Sequence, residues 1–333
     1  MQKLRSSERR RRANLAAFAL ALAVLMVGGG CKTSVDAAAA ATQLTSTASA
    51  LTSYYTALDT LLTETDQLYQ IQGAINTVTP YDAQTKALVA DTKTEIETRE
   101  KLAKALTELA QEYAKLSGST ASADAEKDAG NLESALAGLK QTKVSMSASS
   151  VNLMKDAVGA IVKAIQERKE REASAAIDKF TAALDSWFQS EVPYYNTIGA
   201  NYAGLTQSLA HTLVRKGQVD SSSFLNAALS PYGLTAQLTD PTLKASIDNV
   251  VAAQIDQKAT ALATAQASAS TSMEKALAEM ASRIHLVATD KPMAIRTAPV
   301  TLADVENWIS LVPQIAGTAS PAAGSASSSS KSK

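Results

Sequence analysis

The segment 44-LTSTASALTSYYTALDTLLTETDQLYQIQGAI-75 carries a sustained apolar pattern. Leu44, Leu51 and Leu58 recur every seven residues. A second row with the same spacing contains Tyr54, Leu61, Leu68 and Ile75, and Tyr55, Leu62 and Tyr69 flank it. Residues seven apart lie on one face of an α-helix, and a heptad pattern of this length is typical of long packed helices. The sequence therefore predicts one helix from Leu44 to about Asn76.

The next segment predicts a second long helix that folds back on the first. It opens at 79-TPYD-82, where Thr79 can cap, Pro80 suits the first helical position and Asp82 matches the acid of a capping box. It ends near 117-SGST-120. Long helices joined by a short turn pack as an antiparallel hairpin.

A third apolar stripe starts at about residue 121 and meets no proline before Pro193. One helix over this stretch would be about 100 Å long at 1.5 Å per residue. The sequence leaves open whether that helix is continuous. Pro193 is expected to break or kink the chain, and a fourth helix is expected to end at 215-RKG-217.

The last part of the chain predicts a short helix at 224–229, a long helix opened by Pro241 and a short helix opened by the capping box 301-TLAD-304. The stretch 259–272 is almost wholly Ala, Ser, Thr and Gln, so we expect it to be thinly packed.

The fold class follows from these patterns taken together. No stretch alternates with period two for long enough to form a sheet. We therefore predict an all-α, elongated antiparallel helical bundle with coiled-coil-like long helices and no sheet. The bundle is expected over residues 44–316, with a sub-boundary near Pro193, and the Ser/Ala-rich tail 317–333 is expected to be disordered.

The amino terminus has the pattern of an export signal. Six basic residues and one acid fall within residues 1–30, an apolar run covers 15–27, and 28-GGGC-31 follows. A basic region, a short apolar region and small residues describe a secretory signal peptide. Cys31 is the only cysteine of the chain.

The position of Cys31 resembles the lipobox of bacterial lipoproteins. The resemblance covers residues 1–31 and implies that the signal 1–30 is removed and that Cys31 is acylated, with 31–43 as a tether. It also implies palmitate on Cys31 and an outer-membrane location, because Lys32 rather than Asp follows the cysteine. Gly28 departs from the usual Leu, and an ordinary secretory signal remains the alternative.

Composition excludes several classes of function. The 32 basic and 32 acidic residues balance, and removal of residues 1–30 leaves 26 against 31. A net charge of −5 opposes binding to nucleic acid. The chain also lacks a phosphate-binding glycine loop, an HExxH motif and a GxSxG motif. We expect no catalysis, no metal site and no cofactor beyond the covalent lipid on Cys31.

The aromatic residues are unevenly distributed. Six of the 15 fall within 23 positions: Phe180, Trp187, Phe188, Tyr194, Tyr195 and Tyr202. This aromatic zone is interpreted either as a contact for a ligand or partner, since aromatic side chains dominate interfaces, or as a packing centre where helices meet. His211 and His285 are expected at the surface.

Three hypotheses for the function remain. The first is a lipid-anchored scaffold of the bacterial envelope that contacts an unidentified envelope protein, either facing the periplasm or exposed on the surface. The second is a bundle that binds a ligand at the aromatic zone 180–202. The third is a membrane-acting protein similar to the α-helical pore-forming toxins. The oligomeric state is left open, because heptad stripes can pair within one chain or between chains.

Overall fold

The computed structural model describes residues 32–75, 81–117, 125–139, 148–167, 169–289 and 302–319. Of these residues 91% are helical and none forms a strand, so the all-α helical bundle is confirmed for the described part of the chain. The helices are α1 (Lys32–Ile75), α2 (Ala83–Ser117), α3 (Ala125–Leu139), α4 (Ala148–Gln166), α5 (Glu170–Arg215), α6 (Ser222–Leu229), α7 (Pro241–Ala288) and α8 (Ala303–Ala319). A short 3₁₀ helix, Ser230–Tyr232, follows α6.

Helix α1 forms as its apolar spacing predicts, and both rows of apolar residues lie in the core. Leu44, Leu51 and Leu58 are buried, as are Tyr54 and Tyr55. The helix is about 66 Å long at 1.5 Å per residue. It begins at Lys32, so the segment expected to be a tether is helical from Lys32 onward, and Ala40 and Ala41 belong to the core.

The four long helices α1, α2, α5 and α7 form the body of the bundle. Helices α1 and α2 are antiparallel, because Thr63 of α1 contacts Lys93 of α2 and Thr56 of α1 contacts Glu100 of α2. Helices α5 and α7 are antiparallel as well.

Helices α1 and α5 instead run in the same direction. The Tyr55 and Tyr195 hydroxyls lie 3.0 Å apart, and twenty residues further on the Lys216 ammonium donates to the Ile75 carbonyl at 3.0 Å. The bundle therefore contains a parallel pair of contacting helices as well as antiparallel ones. The amino end of α1 lies at one end of the body, and the carboxyl ends of α1 and α5 lie together at the other.

Local signals set several helix ends. Asp240 caps α7, because its carboxylate accepts from the backbone N–H of Thr242 at 2.8 Å and Pro241 occupies the first turn. Gly217 ends α5 with a φ of +66°, which glycine adopts without strain.

The start of α2 differs from the prediction by three residues. Asp82 is the cap itself, since it accepts from the Thr85 backbone N–H at 2.7 Å. Thr79 and Pro80 lie outside the described residues.

The long third helix does not form. Its stretch contains α3, α4 and the first part of α5, and the chain reverses between Gln166 and Glu170. The reversal packs α4 against α5, so that Val158 and Ile161 on α4 and Ile177 on α5 all enter the core. A single straight helix would leave these apolar faces in solvent, so their burial favours the reversal between α4 and α5.

Pro193 does not break the chain as expected, because α5 continues through it. Proline removes one backbone N–H, which leaves the carbonyl of residue 189 without its helical donor. Gln189 and Pro193 are both exposed, so water can satisfy that carbonyl. The buried Glu191 and Tyr195 hold the two halves of the helix in the core.

The expectation for the small-residue stretch 259–272 is wrong over its second half. Gln266, Ala269 and Ser270 are buried, and Ser272 lies at the edge of the core. The thinly covered part of α7 comes earlier, where Leu243 and Val250 are exposed. Helix α8 also continues to Ala319, three residues into the segment expected to be disordered.

Candidate functional site

The predicted aromatic zone lies on α5, and most of its side chains face the core. Phe180, Phe188 and Tyr195 are fully buried, Trp187 and Tyr202 nearly so, and Tyr194 is half-buried. Spacings of seven and eight residues recur among them, and these spacings put side chains on one side of a helix. The structure therefore places this zone between helices rather than on the outer surface.

Two other helices complete the aromatic zone. The ring of Tyr54 on α1 lies within 6 Å of four other rings, those of Tyr55, Phe188, Tyr195 and Trp308. Trp308 comes from α8 and is fully buried. Aromatic pairs of this kind each add about 0.5–1.5 kcal/mol beyond their buried area. The rings thus join α1, α5 and α8 at one level of the bundle.

A buried ion pair lies beside these rings. Arg99 of α2 is fully buried and donates from Nε to Oε2 of Glu191 on α5 at 2.9 Å, with a second, short bond from Nη2 to Oε1. The third donor group, Nη1, bonds to the Glu95 carbonyl at 2.8 Å. Two parallel bonds between arginine and a carboxylate fix both distance and orientation. The pair therefore holds α2 and α5 at one register.

Aromatic faces enclose the guanidinium of Arg99. Its central carbon lies 5.6 Å from the ring centroids of both Trp187 and Tyr194. The Tyr194 hydroxyl donates to Oε2 of Glu95 at 3.0 Å. Cation–π contacts of this kind are favourable when the cation is desolvated. The guanidinium of Arg99 therefore contacts a carboxylate along its edge and aromatic rings at its faces.

The tyrosines next to the ion pair extend its hydrogen bonds to α1. The Tyr195 hydroxyl makes a short bond to Glu191, and it lies 3.0 Å from the hydroxyl of Tyr55. The chain of contacts runs from Arg99 through Glu191 and Tyr195 to Tyr55. We call these four residues the buried network.

Burial and neighbouring charge shift the acidities of the buried network. Desolvation acts to lower the pKa of Arg99, but the hydrogen bond with Glu191 and nearby negative charge outweigh it, and the pKa lies above its ordinary value. Desolvation, followed by the charge of Glu191, raises the pKa of Tyr55. The pKa of Tyr195 is raised by desolvation first and then by Tyr55 and Glu191. The arginine thus stays charged and both phenols stay protonated at neutral pH.

A second polar cluster lies on α7 against the same rings. Gln266 donates to the Tyr195 backbone carbonyl at 3.0 Å and to Ser270 Oγ at 3.1 Å, and Ser270 Oγ lies 2.8 Å from the Tyr54 hydroxyl. Gly199 makes room for this arrangement, because a Cβ there would lie 2.8 Å from Gln266. The small residues of this stretch let α7 approach α5 closely enough for these bonds.

Sequence reasoning missed these partners for identifiable reasons. Tyr54 and Tyr55 fit the apolar stripe of a helix, and the one signal for a cluster of rings is that two tyrosines are adjacent. Arg99 and Glu191 are charged residues of the kind that usually lies on the surface. No local feature of the sequence distinguishes them from the other charged residues. Gln266 lies in a stretch of small and polar residues, a composition that predicts thin packing.

The histidines are both at least partly exposed, as expected, and each bonds to an aspartate on the facing helix. His211 Nε2 lies 2.6 Å from Asp256, and His285 Nδ1 lies 3.1 Å from Asp178. Within the described residues, His, Cys, Asp and Glu form no group of three that could hold a metal ion.

An open groove of about 430 Å³ runs between α2 and α3, lined in part by Lys101, Lys104 and Asn131. None of the six residues of the aromatic zone lines it. Cys31, the predicted lipidation site, lies outside the described residues.

Comparisons of the chain with protein-family models, curated proteins and solved structures gave no match. Among the helices that the structure describes, none has the length and hydropathy to cross a membrane. Fold and site together define an all-α helical bundle whose apolar core contains a tyrosine-rich set of buried polar groups.

Proposed function

We propose that this protein is a lipid-anchored scaffold of the bacterial cell envelope, attached to a membrane through acylated Cys31 and contacting another protein with its helical body. In this proposal the chain carries out no catalysis. The membrane is the outer membrane, and the protein binds no nucleic acid.

The position of α1 is the observation that carries the proposal. Helix α1 begins at Lys32, directly after Cys31 in the chain, and it extends through the length of the body. An acyl anchor on Cys31 would therefore hold the bundle by one end. Two or more acyl chains are needed for stable membrane attachment, and a triacylated cysteine meets that requirement.

The buried network and the second polar cluster on α7 together support a mechanical role for the body. Arg99 and Glu191 fix α2 against α5, and Gln266 with Ser270 fixes α7 against α1 and α5. Directional bonds between four long helices restrict sliding of one helix along another. A body with a fixed register keeps its two ends at a constant separation, which suits a spacer or scaffold.

The ligand-binding alternative has less support. The rings of the aromatic zone contact one another, and a ligand would have to displace them. The buried Arg99 is likewise matched by Glu191 and two ring faces.

A Cys31→Ser variant tests the anchor in the native cell. We expect the wild-type chain to incorporate radiolabelled palmitate and to sediment with the outer membrane, and the variant to lose both properties. Thr33→Ser is the matched control, because it alters a neighbouring residue and keeps the thiol. Absence of label in the wild-type chain, or unchanged sedimentation of the Cys31→Ser variant, would overturn the proposal.

A further inference from the structure

The first turns of α7 carry a row of apolar side chains on the outside of the bundle. Leu243 and Val250 are 49% and 46% exposed, and Ile247 between them is half-buried. Residues three and four apart are neighbours on a helix, with Cβ atoms about 5–6 Å apart. Leu243, Ile247, Val250 and the exposed Gln254 follow one another at these spacings, so they form one contiguous row. We call these four residues the α7 stripe.

The other side of the same turns attaches α7 to the bundle. Asp256 contacts His211 and Gln207 of α5 at 2.6 and 2.7 Å, and Asp248 accepts a short bond from Ser221. At 3.6 residues per turn, both aspartates lie about 130–150° around the helix from the centre of the α7 stripe. The α7 stripe therefore faces away from α5.

The α7 stripe has the register of a two-stranded coiled coil. With Ile247 at position a of a heptad, Leu243 and Val250 fall at position d and Gln254 falls at the next a. A β-branched residue at a with leucine at d favours two parallel strands, and a polar residue at a single a position fixes their register. A second α7 stripe in parallel orientation would therefore match this one position by position.

The charges beside the α7 stripe permit pairing with an identical surface. The flanking e and g positions are Lys244, Ser246, Val251 and Ala253, and Lys244 is already paired with Asp248 at 2.7 Å. Residues 215–248 contain three basic and three acidic residues, so this end of the body is neutral. Like charges facing each other would oppose association, and these flanks bring none together.

We infer that the α7 stripe pairs with the α7 stripe of a second copy of this chain, forming a parallel two-fold dimer. The inference rests on the proposed anchor, because two copies held at Cys31 in one membrane point the same way. The α7 stripe lies towards the end of the body away from Lys32, so an antiparallel pair would put the two anchors at opposite ends of the assembly. A shared membrane also raises the effective concentration of one copy near another.

Cysteine crosslinking in the native cell tests the inference. Cys31 is the only cysteine and acylation blocks its thiol, so Leu243→Cys or Val250→Cys introduces the single free thiol. In a parallel pair each of these positions faces its own copy. Oxidation with copper phenanthroline should therefore give a disulfide-linked dimer from either variant. Asn249→Cys is the matched control, because Asn249 is exposed beside Val250 but lies at position c, away from the α7 stripe, and it should give no dimer.

A charge placed in the α7 stripe should separate the two copies. In the Leu243→Cys background, Val250→Lys brings two lysines face to face across the pair. We expect the yield of crosslinked dimer to fall at least about tenfold, whereas Asn249→Lys should leave it unchanged. Circular dichroism of each variant verifies that the helices are retained.

Expression of two differently tagged copies identifies the crosslinked partner and its orientation. The inference fails if Leu243→Cys and Val250→Cys give no dimer, or if Asn249→Cys gives an equal yield. It also fails if the crosslinked partner is a different protein, if a dimer forms only between a Leu243→Cys chain and a Val250→Cys chain, or if Val250→Lys leaves the yield unchanged. Palmitate labelling reports the anchor and crosslinking reports the pair, so failure of either proposal is visible separately.

Discussion

Replacement of Glu191 by glutamine will leave Arg99 charged and buried without its main counter-ion. The substitution keeps the shape of the side chain and one acceptor oxygen, so the change is chiefly one of charge. Arg99 and Glu191 are both at most 1% exposed, and the remaining carboxylate of Glu95 lies 4.0 Å from the guanidinium. Removing one partner of a buried ion pair costs about 3–5 kcal/mol. We expect Glu191→Gln to lower the free energy of unfolding by this amount.

The double replacement Arg99→Met with Glu191→Leu separates the two contributions to that cost. It removes both charges and fills the site with apolar side chains of similar length, which is often neutral for stability. Tyr195 keeps a partner, because the Tyr55 hydroxyl lies 3.0 Å away. The double variant should therefore be more stable than Glu191→Gln, although it changes more atoms.

Urea denaturation followed by far-UV circular dichroism at pH 7 measures both effects. Glu172→Gln is the matched control, because Glu172 pairs with Lys169 at 3.2 Å on the exposed surface and its loss should leave the midpoint unchanged. A cost for Glu191→Gln below about 1 kcal/mol, or a double variant no more stable than the single one, would refute the reasoning from buried charge.

Two further predictions concern the same core. Gly199→Ala should destabilise the protein by about 1–3 kcal/mol, because the added Cβ would meet Gln266. Gly204→Ala is the matched control: the space around Gly204 is open, so alanine there should stabilise α5 by about 0.5–1 kcal/mol. Equal effects of the two substitutions in urea denaturation would contradict this. Burial raises the pKa of Tyr55 in the folded protein, whereas tyrosine in the unfolded chain titrates near pH 10. The contribution of Tyr55 to the free energy of unfolding is therefore complete below pH 10. Above pH 10 the free energy of unfolding should fall by about 1.4 kcal/mol per pH unit for each such phenol. Tyr55→Phe should make the free energy of unfolding depend less steeply on pH, by the share of one phenol, when unfolding is measured between pH 9 and 11. An unchanged slope would contradict the raised pKa of Tyr55.

Much of the fold could be predicted because its signals are local. The heptad spacing of Leu44, Leu51 and Leu58 requires only that the segment be helical with one apolar face. Asp240-Pro241 and Gly217 mark helix ends through bonds that reach two to five residues along the chain. These features are present in the sequence before any helix meets another.

The candidate site could be predicted only in part. The aromatic zone 180–202 was visible as an uneven composition, and the structure places its rings against Tyr54 and Trp308 from distant parts of the chain. Whether a ring packs in the core or contacts a partner depends on which helix covers it. The connection between α5 and α7 is visible in the sequence only as a short helix within loops, since exposure is a property of the folded surface.

The sequence by itself determined that this chain is helical, where several helices begin or end, and which faces are apolar. Tertiary structure alone decided that the chain reverses between α4 and α5, that α5 continues through Pro193, and that Arg99 and Glu191 form an ion pair 92 positions apart. The physical reason is the range of the interactions. Helix propensity and capping act within a few residues, whereas the choice between a straight helix and a hairpin, or between a surface and a buried charge, depends on the free energy of packing against segments far away in the chain.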